Sequence, residues 1–213
     1  MSAKKIEIIP VDYAKSTLPE SWVFLKGDKD VKVPIIFRVY LLKTEDRLIL
    51  VDAGCVTMPD DFAMSDFIGP GKALAGIGIS PEEITDVILT HHHHDHIECV
   101  KDYKNAVIYI QKDEYEKGKH YFGAEQTVLT FDEEMQICDG VKAIKIGGHS
   151  VGSSIVEIAG EDKPTIIAGD ECYSRQCIER HIPTGMSPNP EASKAFIEKY
   201  GTGEYNVLLC HDY

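Results

Sequence analysis

A cluster of potential metal ligands directly after a buried strand constrains this chain more than any other feature of its sequence. The apolar run 86–90 predicts a strand with both faces buried, and the pattern His-X-His-X-Asp-His follows it at His91, His93, Asp95 and His96. Residues two apart in an extended segment project to the same side, so His91 and His93 can bind one metal ion together. If the chain then enters a helix, Asp95 and His96 face a second metal ion. Imidazole and carboxylate groups suit Zn²⁺, and also iron or manganese.

Two simpler interpretations of this histidine cluster are a solvated loop that binds metal by accident and a purification tag. A tag would lie at a terminus rather than between a buried strand and a helix, and neither alternative accounts for Asp95 and His96. The spacing therefore favours a metal centre.

Three more potential ligands stand alone in the sequence, each just after an apolar run: His149, Asp170 and His211. Taken singly, each is more often structural: a histidine in a glycine turn, a turn-forming aspartate, and a histidine at a frayed end. Taken together, they supply a third imidazole for each of two metal ions and a carboxylate to bridge them. Because strands end at one edge of a sheet, side chains at these positions can converge on one site.

The first third of the chain predicts strands followed by a less regular segment. Residues 5–10 predict a first strand, and residues 33–54 predict a hairpin around the polar turn 44–46. Residues 60–78, which three glycines and Pro70 interrupt, predict a short helix and a loop.

The remaining chain mixes short helices with strands. Ser80, Pro81 and Glu83 predict a capping box at the start of a short helix. Further strands are predicted at 106–111, within 128–158, at 164–170 and at 206–210, and helical segments at 97–103, 112–120 and 190–200.

The composition predicts a single folded domain over residues 1–213. Hydrophobic residues make up 43% of the chain and charged residues 27%, which is close to the average for soluble proteins. The formal net charge of −13 repels nucleic-acid phosphates and anionic membranes, so we expect neither as a partner. A small-molecule substrate is expected, and an anionic one is compatible with this charge because bound cations reverse the local field. Homodimer formation stays open.

Cysteine usage and the first residues indicate a reducing compartment. The six cysteines are scattered, and no pair has Cys-X-X-Cys spacing, which is typical of reduced thiols. A thiolate ligand from Cys99, Cys172 or Cys210 is an alternative to an ordinary buried thiol. The opening MSAKKIEIIP lacks the apolar stretch of a secretion signal, and no run approaches the ~20 apolar residues that cross a bilayer. We therefore expect a cytoplasmic protein.

The order of these motifs resembles that of the metallo-β-lactamase superfamily over nearly the whole chain. The resemblance implies an α+β fold, the αββα sandwich, in which two mixed β-sheets are flanked by helices and the metals lie at one edge. It assigns seven residues to two metal ions: His91, His93, Asp95, His96, His149, Asp170 and His211. Asp52 matches a further acidic position of the family, which is usually structural or adjacent to the ligands.

Within the superfamily, the chain is most similar to the N-acyl homoserine lactone lactonases. The opening KKIEIIP, the hairpin ending in LILVDAG and the string Cys210-His211-Asp212 resemble that family's layout. Tyr173 matches a lactonase tyrosine that orients the substrate carbonyl or stabilises its developing charge; a half-buried packing tyrosine is the alternative. The sequence departs from the lactonases at His94, Glu98 and Cys99, which fall at the pocket wall rather than at the metals.

The resemblance implies a metal-dependent hydrolase that opens a lactone or ester carbonyl with a hydroxide shared by two metal ions. The first ion is assigned to His91, His93 and His149, and the second to Asp95, His96 and His211, with Asp170 between them. Tyr173 would stabilise the oxyanion, and Asp95 or Asp170 would pass a proton to the leaving group. Alternatives on the same fold are a glyoxalase-II-like thioester hydrolase and a mononuclear-iron sulfur oxygenase. A metal-binding sensor without turnover is the non-enzymatic alternative.

Overall fold

The strands of this protein form two mixed β-sheets. The computed structural model describes residues 6–58 and 62–213. The first sheet has six strands in sequence order: β1 (Glu7–Pro19), β2 (Lys32–Lys43), β3 (Leu48–Val51), β4 (Asp86–Leu89), β5 (Val107–Gln111) and β6 (Thr127–Phe131). The second has five: β7 (Glu134–Cys138), β8 (Val141–Lys145), β9 (Ser154–Ile158), β10 (Thr165–Ile167) and β11 (Asn206–Leu208).

Each sheet combines parallel and antiparallel pairs. In the first sheet, β1 to β3 pair antiparallel and β3 to β6 pair parallel. In the second sheet the order is β11-β10-β9-β8-β7, with β10 and β11 parallel and the other neighbours antiparallel. The parallel pairs matter for the site, because their C-terminal ends lie at the same edge of each sheet.

Short helices connect and cover the strands. The α-helices of the described ranges are α1 (Glu20–Val23), α2 (Pro70–Gly76), α3 (His94–Ile97), α4 (Lys112–Gly118), α5 (Arg175–Arg180) and α6 (Pro190–Tyr200). Single 3₁₀ turns occupy Pro81–Glu83, Glu98–Asp102, Lys119–Tyr121 and Gly169–Glu171. Among the described residues, no helix has both the length and the apolar character needed to span a lipid bilayer.

The core lies in layers on both sides of each sheet. Along β3, Ile49 and Val51 belong to an apolar cluster that also contains Val156 of the second sheet, so this cluster fills the space between the sheets. Leu50 points the other way, into a cluster that contains Leu74 of α2. Burial of both strand faces explains why these strands are continuous apolar runs rather than alternating ones. This is the αββα sandwich that the sequence resemblance implies.

Most of the predicted elements are present at their predicted positions. The hairpin is formed by β2 and β3, and its turn is closed by the Thr44 N–H, which donates to the Arg47 carbonyl at 3.0 Å. The capping box of Ser80 and Glu83 is present, although the helix it starts is one 3₁₀ turn. The predicted helix 190–200 coincides with α6.

Two local predictions need correction. The first strand was expected to end at Pro10 but continues to Pro19, because β1 is an edge strand and can accommodate a residue without an N–H; Lys5 lies outside the described residues. The short helix expected within residues 60–78 is α2, and Pro70 begins it, since its missing N–H costs nothing in the first turn; positions 60 and 61 lie outside the described residues. The helices α1 and α5 were not predicted.

Candidate metal centre

The candidate ligands lie at one edge of the sandwich, just after the strands that carry them. His91 and His93 follow β4, Asp95 and His96 lie in α3, His149 lies in the loop after β8, Asp170 follows β10 and His211 follows β11. Gly169 allows the two sheets to approach here, because it adopts φ +53° and a Cβ at this position would lie 2.9 Å from the Thr90 Cβ. A side chain there would push Asp170 away from the residues after β4.

The seven predicted ligands form two groups. The first group is His91, His93, His149 and Asp170, and the second is Asp95, His96 and His211. Within each group, the atoms that could bind a metal all lie within 4.8 Å of one another. Each group could therefore hold one ion. The histidines and Asp95 divide as in the assignment expected from the sequence, and Asp170 falls in the first group.

The carboxylate of Asp170 lies between the two groups. Its Oδ2 lies 3.7 Å from His91 Nε2 and 3.4 Å from His149 Nε2. Its Oδ1 lies 3.1 Å from His96 Nε2 and 3.2 Å from His211 Nε2. One oxygen thus faces each group, which is the geometry that a bridging ligand requires.

Four of the inward-facing atoms have no hydrogen-bond partner. His91 Nε2, His96 Nε2, His211 Nε2 and Asp170 Oδ1 are buried without a hydrogen bond. Buried polar atoms are normally paired, and these four point toward one another. Cations held among them would use their lone pairs, so the residues fit a pair of divalent metal ions.

The outer nitrogens of the buried histidines are held by the surrounding protein. His96 donates its Nδ1–H to Asp52 Oδ2 at 2.8 Å, and His211 donates its Nδ1–H to the Ile36 carbonyl at 2.8 Å. His91 Nδ1 lies 3.0 Å from the Thr90 hydroxyl. Fixing the proton on Nδ1 leaves the Nε2 lone pair of His96 and His211 directed into the site.

Asp52 is expected to determine how tightly the second group binds metal. Besides His96, its carboxylate accepts the Thr90 N–H at 2.8 Å and the Thr90 hydroxyl. Asp52→Asn keeps the left-handed backbone that asparagine tolerates but weakens the hold on the His96 tautomer. We expect metal affinity at one of two positions to fall about 10- to 100-fold, as measured by chelator competition. Asp86 lies at the start of β4, at the end of the strand away from His91. Asp86→Asn is therefore the control and should leave the metal affinity of both groups unchanged.

The electrostatics of the two groups differ. Burial lowers the pKa of His91, and it lowers the pKa of His149 to about 4, so both are neutral imidazoles at neutral pH. Burial also lowers the pKa of His96 and His211, but the carboxylates of Asp170 and Asp95 outweigh it and raise both pKa values above their usual range. The second group therefore favours a positive charge, and a metal ion bound there would displace protons.

A buried glutamate that the sequence did not single out holds the loop bearing His149. Glu171 accepts the N–H groups of Gly148 at 3.2 Å and His149 at 3.3 Å, and Ser153 Oγ donates to the same oxygen. Burial raises the pKa of Glu171 to about 7, although these hydrogen bonds act to lower it. Its place directly after Asp170 links that carboxylate to the loop.

A second buried glutamate joins that loop to the histidine cluster. Glu114 of α4 accepts from Ser150 Oγ at 2.8 Å and from the Gly152 N–H at 2.7 Å. It also accepts the His92 N–H at 3.0 Å and bonds to His92 Nδ1. One carboxylate therefore fixes the two segments that carry the three predicted histidine ligands of the first group, His91, His93 and His149.

Tyr173 lies beside both groups, as the resemblance implies. Its ring stacks on His211 with centroids 5.2 Å apart and meets the edge of His149 at 5.8 Å. Burial and then the Asp170 charge raise its pKa well above the ordinary value. Tyr173 is therefore a neutral phenol that can donate a hydrogen bond at the site.

The residues that depart from the lactonase pattern build a polar contact outside the ligand groups. His94 Nε2 lies 2.9 Å from Thr57 Oγ1, and its Nδ1 lies 2.9 Å from the Tyr121 hydroxyl. Glu98 accepts the N–H groups of Val56 and Thr57. These bonds attach the loop after β3 to α3. Cys99, Cys172 and Cys210 are buried thiols, and none belongs to a ligand group found in residues 6–58 and 62–213.

The fold and the site together define a class: αββα sandwich proteins with a two-part histidine and aspartate centre at one edge. The sequence pattern of the metallo-β-lactamase superfamily matches residues 38–199, and the chain belongs to that superfamily. Both the resemblance and the fold expected from the sequence are thereby confirmed.

Similar proteins narrow the class further. An N-acyl homoserine lactonase of Bacillus thuringiensis is 25% identical over an alignment that covers 88% of this chain and 84% of the relative. A probable metallo-hydrolase of Methanocaldococcus jannaschii is 28% identical over 141 residues, 66% of this chain and 63% of the relative. The expectation that the chain is an enzyme agrees with these names.

Solved structures with the same fold cover the whole chain. A probable metal-dependent hydrolase from Staphylococcus aureus matches 100% of this chain and 91% of its own, with a TM-score of 0.84 at 19% identity. An N-acyl homoserine lactone hydrolase, with its product N-hexanoyl-L-homoserine at the catalytic metal centre, matches 100% and 94% with a TM-score of 0.81 at 21% identity. At these identities the likeness shows the fold.

Proposed function

We propose that this protein is a hydrolase that opens a lactone or ester carbonyl with the help of two divalent metal ions, Zn²⁺ being the expected ion. The observation that carries the proposal is the Asp170 carboxylate, whose two oxygens each face a separate group of buried imidazoles. The lactonases among the curated relatives support the lactone or ester as substrate.

The chemistry of the site follows from the positions of its residues. Two divalent cations held here would supply a hydroxide nucleophile at neutral pH and polarise a carbonyl. In the reaction, the oxygen of water bonds to the carbonyl carbon, the bond to the alcohol oxygen breaks, and the alcohol takes up a proton. The products are a carboxylate, an alcohol and one released proton.

Two side chains are assigned to charge and proton handling. Tyr173, a neutral phenol beside His149 and His211, donates a hydrogen bond to the oxygen on which negative charge develops. Asp95 is the assigned proton carrier to the leaving group. Its side chain is 20% exposed, against 3% for Asp170, so Asp95 can reach a leaving group while Asp170 stays enclosed.

Tyr173→Phe is expected to lower kcat on the order of 100-fold, which is typical of losing one oxyanion donor. The metal content should stay the same, because the phenol is not among the seven assigned ligands. Steady-state kinetics with metal analysis of the same samples measures both. Tyr121→Phe, outside the ligand groups, is the matched control and should retain kcat. A Tyr173→Phe enzyme with unchanged kcat would remove the phenol from the mechanism.

The proposed function itself is tested by turnover of a panel of lactones, thioesters and aryl esters, with the metal content of the protein measured alongside. Two ions per chain and turnover of lactones or oxygen esters are expected. Preferential turnover of thioesters would favour the thioester hydrolase, and a single iron ion per chain would favour sulfur oxidation. Two bound ions with no turnover on any substrate would favour a metal sensor.

A further inference from the structure

A cavity opens beside the first group of candidate ligands. Its volume is about 540 Å³, and both His93 and His149 contribute to its wall. Cavities of this size accommodate small organic molecules. A substrate whose carbonyl lies at the first group would therefore extend into this cavity, and the remaining wall residues would select it.

One wall of the cavity carries a lysine without an acidic partner. Lys117 lies in the last turn of α4, and within residues 6–58 and 62–213 no carboxylate oxygen lies within 4.0 Å of its ammonium group. The neighbouring lysines are paired: Lys112 with Asp132, and Lys119 with Glu116 at 3.1 Å.

The charge of Lys117 is opposite in sign to the net charge of the chain. Acidic residues outnumber basic ones by 35 to 22, so a positive charge on the cavity wall stands out against an acidic surface. The C-terminal end of a helix favours a cation, but this does not explain why Lys117 lines the cavity. A positive charge held free beside a metal centre attracts an anionic group of a ligand and reverses the repulsion from the acidic surface.

Other parts of the cavity wall are apolar. Val151 is 48% exposed and Met186 is 40% exposed, and both contribute to this wall. Exposed aliphatic groups on a cavity wall suit the hydrocarbon part of a ligand. Together with Lys117, they describe a molecule with an apolar stem and an anionic group.

We propose that the preferred substrate carries a carboxylate remote from its scissile carbonyl, that Lys117 binds this carboxylate, and that Val151 and Met186 contact the hydrocarbon between them. This inference rests on the proposed hydrolase function and specifies its substrate class. Lys117 is a specificity residue that acts on binding rather than on the reacting atoms.

The test compares monoaryl esters of linear dicarboxylic acids with the matched methyl-capped diesters. In the native enzyme, the free carboxylate should lower KM. Lys117→Met keeps the aliphatic stem and removes the charge, so it should raise KM for the charged ester about tenfold relative to the diester, the loss expected of one charge-assisted hydrogen bond. The effect should fall on KM rather than kcat. Lys117→Arg should restore the preference, and Lys119→Met should behave as the native enzyme.

Failure of this inference differs from failure of the proposed function. If both esters are hydrolysed and Lys117→Met leaves the KM ratio unchanged, the lysine is only a solvated helix-end residue and the inference is wrong. If neither ester is hydrolysed, calorimetric binding of the amide analogue with a free carboxylate decides the matter separately. Binding about tenfold weaker in Lys117→Met supports the carboxylate site, and equal binding overturns it.

Discussion

Replacing Asp170 with alanine is expected to lower the metal content from two ions per chain to one or none and to reduce turnover more than about 100-fold. Losing a group that only orients a metal ligand lowers metal affinity or activity by up to about 100-fold. Asp170 faces both ligand groups directly, so a larger loss is expected. Without it, the imidazoles of His96 and His211 lose the carboxylate that raises their pKa values most, and cation binding at the second group weakens.

Metal analysis of the purified variant measures this effect independently of any substrate. Asp132→Ala is the control, because its carboxylate is 67% exposed and pairs only with Lys112 among the described residues. Circular dichroism confirms that both variants are folded. A folded Asp170→Ala protein that keeps two ions per chain would show that the carboxylate does not bridge them.

The candidate ligands could be predicted because each depends on a local pattern. His91 and His93 are two apart in an extended segment, and Asp95 and His96 follow where the chain turns into α3. His149 and the ligands after β10 and β11 each follow an apolar run, and the ends of such runs meet at a sheet edge. Spacing and position along the chain therefore indicated these candidates, and the family resemblance assigned them to two metal ions.

The residues that hold these ligands could not be predicted, because their partners are distant in sequence and common in type. His211 donates to the backbone carbonyl of Ile36, 175 residues away, and every residue has such a carbonyl. Glu114 and Glu116 look alike in the helical sequence 112–120, yet Glu114 is fully buried and Glu116 is exposed. Only the packing of the loop at 150–152 against α4 separates them.

The errors in the fold have a similar origin. Proline at position 10 indicated the end of a strand, but the sequence does not show that β1 is at a sheet edge, where its missing N–H breaks no ladder bond. The local signal for helix α5 is weak. Ser174 caps it by accepting the Gln176 N–H with its Oγ, but the helix itself is only six residues long. Elements that depend on tertiary context are the ones that were missed.

Glu114→Gln is expected to lower the free energy of unfolding by about 3 kcal/mol at pH 7. Burial raises the pKa of Glu114, but hydrogen bonds from His92, Gly152 and Ser150 outweigh it, so the pKa falls from 4.5 to about 2. That difference corresponds to about 3 kcal/mol in favour of the folded state. A glutamine keeps one acceptor oxygen and places an NH₂ group against donors. Urea unfolding at matched metal content measures the loss.

The pH dependence distinguishes a charged partner from simple packing. Because the pKa of Glu114 is lower in the folded state, its contribution is complete above about pH 6 and declines as the pH falls through 4.5 toward 2. The difference between the native protein and Glu114→Gln should therefore be constant from pH 8 to pH 6 and shrink below about pH 4.5. Glu116→Gln, on the same helix but exposed and paired with Lys119, should cost less than about 0.5 kcal/mol at every pH. A loss for Glu114→Gln that is equally small, or that does not change with pH, would show that the carboxylate charge does not hold the two segments together.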